Sequence, residues 1–522
     1  MARRLSAGRL LDEKHGPQMT YATLILTLLV AAGCASSPHR VVTSAASPTA
    51  SRQQWLEMFA RGYFPGRSGQ VFYVPHEGDF VVDPGPLYGF MHGSPWSYDT
   101  HVPLIFHGAP FIRQGAWSEP ATQQDVVPTL ATLMGTSAPA TATGRVLQQA
   151  IGAGTARPRI VALFVLDGMR ADYFDRYGDV MPTLTRLRRD GAWFSNARVN
   201  SMPTLTSVGH ATLGTGTDPR IHGLAVNNLF NRVTGKPQES YDALDPGELM
   251  ALTLADTWNL ATDGKALIIG HGGAIRATAG LVGRGACLVN GRRVTAASYS
   301  TRDGGWETND KCYTMSSALK PLNTRTYWEA ARGTWMGHDI ANPSLVRASA
   351  VFQRFEGDAI VALLEHEPIG ADGITDMVMV NIKSPDYVSH AYGPDSAEIK
   401  EALTELDRQL ARALQVIERK AGPGQSVVAV SGDHGMPGEP PAGRRRITIQ
   451  EVVAAVNQRF SPEGTSVIHY FGDPANAQIH IDAARLATLG FSMREVAAFL
   501  ESRFFAAAFT EDEVRTAQAR LR

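Results

Sequence analysis

Several apolar runs in this chain end in a carboxylate or a histidine, and no other feature constrains the fold as tightly. Ile160–Asp167 reads IVALFVLD, and Val427–His434 reads VVAVSGDH. Their apolar parts, Ile160–Leu166 and Val427–Ser431, read as strands, continuous runs of this kind being buried on both faces as in a parallel sheet covered by helices. Leu267–Gly270 (LIIG) and Met377–Ile382 (MVMVNI) read as further strands. Met181–Arg189 reads as a helix, and so does Ser396–Lys420, which carries Ile399, Leu403, Leu406, Leu410, Leu414 and Ile417 on one stripe. The alternation predicts an α/β fold, a central sheet with helices on both faces. Ligands of such sheets collect beyond the carboxyl ends of the strands. Those ends here carry Asp167, the SPDYVSH loop with Asp386 and His390, and the pair Asp433-His434.

The stretch Asn200–Asn228 (NSMPTLTSVGHATLGTGTDPRIHGLAVNN) is poor in charge and rich in Thr, Ser, Gly and His. Hydroxyls set between small residues suit a place where backbone and side-chain donors approach an anion closely. A turn before a buried helix would look similar, so the stretch gains meaning only from the strand ends. Asp386 and His390 are four apart and share one face if that segment is helical. A shell of mixed His and carboxylate ligands suits zinc better than Mg²⁺ or Ca²⁺. Each Asp alone reads equally as a helix cap, and each His as a core residue; the combination is what points to a metal.

The N-terminus reads as a targeting segment. Arg3, Arg4, Arg9 and Lys14 precede the apolar run Tyr21–Ala32, followed by Gly33-Cys34. The run is short for a membrane span and fits the apolar part of a signal peptide. VAAGC is similar to a bacterial lipoprotein cleavage box, so residues 1–34 are expected to be a signal peptide with lipidation at Cys34. Ordinary cleavage without lipid is the alternative. Polar residues 35–54 then form a tether, and the protein is expected in the cell envelope, periplasmic and lipid-anchored. Cys287 and Cys312 are free to close one loop in an oxidising compartment. A net charge of −1 gives no sign of binding duplex nucleic acid. Residues 55–150 form a block with strands at Gln70–Val74 and Val102–Phe106, the loop Met91–Thr100 holding His92, and a short helix at Asp125–Met134. Residues 151–159 read as a linker.

Taken together these motifs resemble the alkaline phosphatase superfamily, in particular its phosphodiesterase/nucleotide pyrophosphatase branch and the related single-Thr phosphatases. FVLDGMRADYF is similar to the first metal motif at Asp167. PTLTSVGHATLGTGTDPRIHG is similar to the nucleophile motif, with Thr206 in the nucleophile's place and Thr204 as the runner-up. Asn227 matches the phosphate-binding Asn, SPDYVSHAYGP the ligands Asp386 and His390, and SGDHGM the ligands Asp433 and His434. The resemblance covers most of the chain after Trp55.

One further metal His stands near the C-terminal end in this family. Here its context, HGSPWSYDTHVPLIFHG, lies at His92, near the front. A circular permutation accounts for this: residues 55–150 are the usual C-terminal portion, joined through 151–159 to a main catalytic part at 160–522 with an insertion at about 228–347. His92 is then expected beside Asp386 and His390, and the end of the chain near the Trp55 block. His469 is the competing candidate.

The resemblance implies two Zn²⁺ ions, one on Asp386, His390 and His92, the other on Asp167, Asp433, His434 and Thr206. Thr206 attacks phosphorus to give a phospho-threonine, while Asn227 and the backbone N–H groups after Thr206 hold phosphoryl oxygens. Single-Thr monoesterases carry a Lys-x-Arg pair where this chain has Gly270 and Gly272, which leans the reading toward a phosphodiesterase or nucleotide pyrophosphatase acting on a small phosphate ester. His271 and Arg276 are candidates to supply the missing charge, and Lys383 lies beside the ligand loop. The alternatives are a phosphate monoesterase, and a non-catalytic metal-binding envelope lipoprotein.

Overall fold

The computed structural model describes residues 48–83, 85, 87–288 and 294–521. The expected signal peptide, Cys34 and most of the expected tether lie outside the described residues.

Nine strands form the central sheet. In chain order they are β1 (Leu104–His107), β2 (Gly115–Trp117), β3 (Ile160–Leu166), β4 (Ala192–Phe194), β5 (Ile268–Gly272), β6 (Val294–Ser300), β7 (Gly305–Glu307), β8 (Asp376–Ile382) and β9 (Ser426–Ser431). Their spatial order is β7-β6-β5-β8-β3-β9-β1-β4-β2. The five from β6 to β9 are mutually parallel. Every residue of β3 and β8 is buried, as their unbroken apolar runs require. α1 (Pro48–Gly62) packs outside this sheet; the helices set against it include α2 (Thr206–Thr215), α3 (Ile275–Val282), α4 (Ala350–His366), α5 (Ser384–Tyr392) and α6 (Ala397–Ala421), and α7 (Glu511–Gln518) again lies outside it. Separate apolar clusters line the two faces. One joins Val161, Leu163 and Val165 of β3 to residues of α2 and α3, and the other joins Ala162, Phe164 and Leu166 to α4 and α6. The expected stripe on α6 is mostly buried, Leu414 being only partly so.

Part of the stretch 228–347, read as an insertion, is built into the core. It contributes β5, β6 and β7 to the central sheet. β5 was legible as an apolar run; β6, VTAASYS, was not, because Ala and Ser replace the branched residues that mark a strand. A Cys287–Cys312 disulfide closes the loop containing β6 and β7.

β1 runs antiparallel to β9, with Leu104 opposite Ser431. The start of β1 therefore lies at the same sheet end as the carboxyl ends of β3, β8 and β9, and the loop before β1 reaches that end too. A second sheet interleaves the front and back of the chain. Val71–Pro75 lies between Gln478–Ile481 and Phe505–Thr510, antiparallel to both. α7 packs on α1, where Gln518 Nε2 donates to the carbonyls of Ala60 (2.9 Å) and Tyr63 (2.7 Å).

Candidate metal centre

Each side chain at the sheet end is aimed by a specific local device. Asp167 follows β3, and Asn381 Nδ2 donates to its Oδ2 at 2.8 Å, leaving Oδ1 directed inward. Gly168 next to it has φ +69°, and a Cβ there would sit 3.0 Å from Asp386 Cα, so only glycine lets the two loops meet. Its N–H donates to Asp433 Oδ1 at 3.0 Å. Gln123 Nε2 holds the Asp433 loop through the carbonyls of Gly432 and Asp433, both at 2.8 Å. Asp386 and His390 lie one turn apart on α5, whose start is fixed by Glu356. Its carboxylate accepts from the N–H groups of Lys383 (2.9 Å) and Ser384 (3.0 Å). The His92 loop is pinned by buried Asp99, which accepts from Ser94 N–H (2.8 Å) and Ser94 Oγ (2.6 Å).

Three imidazoles converge with the same polarity. His92 Nδ1 donates to Thr204 O (2.7 Å), His390 Nδ1 to Phe90 O (2.7 Å) and His434 Nδ1 to Gly435 O (3.0 Å). A carbonyl accepts only from a protonated nitrogen, so all three rings turn an Nε2 lone pair inward. His92 Nε2 is 3.7 Å and His390 Nε2 3.3 Å from Asp386 Oδ1. His434 Nε2 is 3.6 Å from Asp167 Oδ1 and 3.2 Å from Asp433 Oδ2. The His92 and His434 rings stack at 3.6 Å. Burial and the neighbouring His434 and His390 push His92 well below the usual imidazole range, and burial pushes His434 down as well, so both rings are neutral donors. Burial opposes ionisation of Asp386, but His390 and Lys383 outweigh it and hold its carboxyl well down. Burial and Asp167 together push Asp433 well up. Neither oxygen of Asp386, nor Asp433 Oδ2, accepts a well-directed hydrogen bond. Inward lone pairs and under-satisfied buried carboxylates are a donor set fit to hold a divalent metal ion. Three groupings follow among the described residues: His92, Asp386 and His390; Asp167 and Asp386 with His434; and Asp167 and Asp433 with His210.

Thr206 opens α2, all ten residues of which are buried. Its Oγ1 is 3.4 Å from His434 Nε2 and accepts from Lys383 Nζ at 2.9 Å. The same ammonium lies 2.8 Å from Asp167 Oδ1 and 2.6 Å from Asp386 Oδ2. Asn227 Oδ1 accepts from Ser207 N–H at 3.1 Å. That N–H, expected to face a phosphoryl oxygen, is therefore engaged by Asn227 instead. Thr204 Oγ1 donates to Ser94 O at 3.3 Å, which assigns it to the His92 loop.

His469 lies elsewhere, exposed and paired with Asp482 at 3.0 Å. His210 sits in the cluster, but both its nitrogens are committed, Nδ1 to Thr206 O (2.8 Å) and Nε2 to Asn381 Nδ2 (2.9 Å). It orients rather than ligates. His271 is buried under Trp306. Arg276 lines a cleft of about 1030 Å³ with Tyr88, Tyr387 and Arg347. The Tyr88 ring that walls this cleft lies 5.6 Å from His390. The sequence carried no signal for Asn381, Glu356, Gln123 or Asp99, because each works through a partner distant in the chain.

The family model of type I phosphodiesterase / nucleotide pyrophosphatase matches residues 161–500, well over half of the chain. The chain belongs to this family. Two of the family member's curated relatives are alkaline phosphatases: PafA of Elizabethkingia meningoseptica, 28% identical over 329 residues (53% of this chain, 60% of the relative), and PhoV of Synechococcus elongatus, 26% identical over 358 residues (56% and 63%). Venom phosphodiesterase 2 of Crotalus adamanteus is 22% identical over 278 residues (52% and 26%). The chain spans about three fifths of the length of the two phosphatases it matches. The crystal structure of wild-type PafA superposes with a TM-score of 0.56 at 22% identity, covering 67% of this chain and 77% of that one. The alkaline-phosphatase-like fold is thereby shared. The family match begins at β3 and leaves His92 outside it.

Proposed function

We propose that this phosphodiesterase-family chain is a two-zinc phosphoric ester hydrolase with Thr206 as nucleophile. The observation that carries this reading is the convergence of three inward Nε2 atoms and three buried carboxylates around the Thr206 hydroxyl. One ion would be held by Asp386, His390 and His92, the other by Asp167, Asp433, His434 and Thr206. The ions would supply the positive charge that lowers the cost of ionising Thr206 and of expelling the leaving oxygen.

The chain's own groups supply position. α2 presents Thr206 at its first turn, where the helix N-terminus favours negative charge. His210, on the same helix, accepts the order that Asn381 imposes, and Asn227 fixes the turn after the nucleophile. In the reaction a bond forms between Thr206 Oγ1 and phosphorus while the phosphorus–oxygen bond to the leaving group breaks. The departing alkoxide gains the proton that Thr206 gives up. Water then splits the Thr206–phosphorus bond and returns a proton to Oγ1.

Gly270 and Gly272 bring no charge to the phosphoryl group, which favours diesters and nucleotide-like substrates; the venom phosphodiesterases among the relatives agree with that preference. A phosphate monoesterase is the second reading, favoured by the alkaline phosphatases among them and by the cationic Lys383. The position of His92, ahead of the family match yet beside Asp386, supports a circularly permuted order of the family's parts. The N-terminal sequence supports an envelope location with a lipid on Cys34, to be tested by mass spectrometry of the mature N-terminus. The test of the activity is hydrolysis of methyl p-nitrophenyl phosphate and of p-nitrophenyl phosphate by zinc-loaded wild-type protein and Thr206→Ala. Loss of activity with zinc content retained is expected. Full activity in Thr206→Ala removes the reading, and a preference for the monoester reverses the substrate choice.

A further inference from the structure

We propose that Lys383 is a catalytic residue of this centre, its ammonium holding the nucleophilic oxygen of Thr206 and lending positive charge to the phosphoryl group under attack. This rests on Thr206 being the nucleophile. A lysine is rarely interred unless its charge is paired, and the Lys383 side chain, 1% exposed, pairs with both Asp167 and Asp386. It comes off the end of β8, one residue before α5, with its own N–H fixed by Glu356. Its stem passes Gly273, where a Cβ would stand 2.9 Å from Lys383 Cβ, and its Nζ lies 5.3 Å from the centre of the Tyr387 ring. The stem is thus packed on a defined path to the centre.

A counter-ion for Asp167 and Asp386 alone would have no need of Thr206, yet Nζ donates to Oγ1 at 2.9 Å. An ammonium at that distance from an attacking oxygen is also within reach of an oxygen on the phosphorus that this atom joins. Charge-assisted donors aimed at a reacting oxygen are among the strongest contributors to transition-state stabilisation. The neighbouring strand end offers no substitute. Cβ atoms at Gly270 and Gly272 would stand 2.4 Å from Val282 and 2.5 Å from Thr278 side-chain atoms, so no charged side chain fits there without rearrangement. Lys383 keeps its proton throughout; the bonds made and broken are those at Thr206 and phosphorus described above.

The test uses the zinc-loaded full chain and methyl p-nitrophenyl phosphate, with Lys383→Met, Lys383→Ala, Lys383→Arg and Thr206→Ala beside wild type. Bound zinc, thermal midpoint, kcat and KM are measured for each. The expected result for Lys383→Met is a kcat at least a hundredfold lower, with KM within threefold and zinc content equal to wild type. Methylammonium should restore part of kcat to Lys383→Ala and none to Thr206→Ala. A kcat within threefold of wild type in Lys383→Met overturns the proposal. So does a loss that tracks lost zinc or lost folding with no response to methylammonium in Lys383→Ala. Thr206→Ala as active as wild type overturns the nucleophile assignment first and this inference with it; Thr206→Ala inactive beside an active Lys383→Met overturns the inference alone.

Discussion

Gly209→Ala separates the geometry of the centre from the stability of the fold. Gly209 is the fourth residue of α2, one turn from Thr206. A Cβ there would lie 2.7 Å from Asp433 Cβ, 2.8 Å from Asp433 O and 3.0 Å from Asp433 Cα. Two of these three are backbone atoms, which no rotamer change can move. Relief to ordinary contact requires α2 and the Asp433 loop to part by roughly 0.5–1 Å in a close-packed interior. The fold gains up to about 1 kcal/mol because alanine favours a helix interior over glycine, and loses about 1–3 kcal/mol to overpacking. The net is a loss of between about 0 and 3 kcal/mol, which urea unfolding reads directly. Activity is far more sensitive, since a misplacement of about 1 Å costs on the order of a hundredfold. Steady-state hydrolysis of the aryl diester, urea unfolding and bound zinc on one preparation give all three readouts. A variant that keeps activity within threefold of wild type refutes the claim that the approach of α2 to Asp433 sets the position of Thr206.

Glu356→Ala strips the buried N–H groups of Lys383 and Ser384 of their acceptor, and about 1–3 kcal/mol of stability should go with each unsatisfied donor; Glu356→Gln, which keeps an amide oxygen, should cost less in the same urea titration. Burial pushes the Asp99 carboxyl up to about 7, so the folded chain holds a proton that the unfolded chain releases near pH 4. Stability therefore falls as pH rises from about 4 to about 7, by up to about 4 kcal/mol at 1.36 kcal/mol per pH unit, and Asp99→Asn should flatten that slope when chelated protein is unfolded across the range. Reduction of Cys287–Cys312, 25 residues apart, should cost about 3 kcal/mol by loop entropy, read as a lower thermal midpoint in reductant that Cys287→Ser reproduces.

The parallel core was legible because burial on both faces leaves no alternative to unbroken apolar runs, and the observed β3, β8 and β9 agree with the expected strands to within a residue. Asp167, Asp386, His390, Asp433 and His434 were legible because each ends such a run or follows one by a few residues. His92 was found only through its flanking text, since antiparallel pairing of β1 with β9 has no signature in local spacing. β6 went unseen because small residues fill its buried positions. Asn381 and Glu356 carried no signal either: a buried amide and a buried carboxylate acquire meaning from partners more than twenty residues away, such as Asp167 and the start of α5.

The second sheet has a bearing on truncation. The loop with His92 rests on Val71–Pro75, where Trp96 Nε1 donates to Pro75 O at 3.0 Å, and that strand pairs with residues 478–481 and 505–510. All the predicted ligands, from His92 to His434, precede in the chain both strands that flank this support. A chain cut before residue 478 should therefore leave the His92 loop without its support, and the centre unformed, although it carries every predicted ligand.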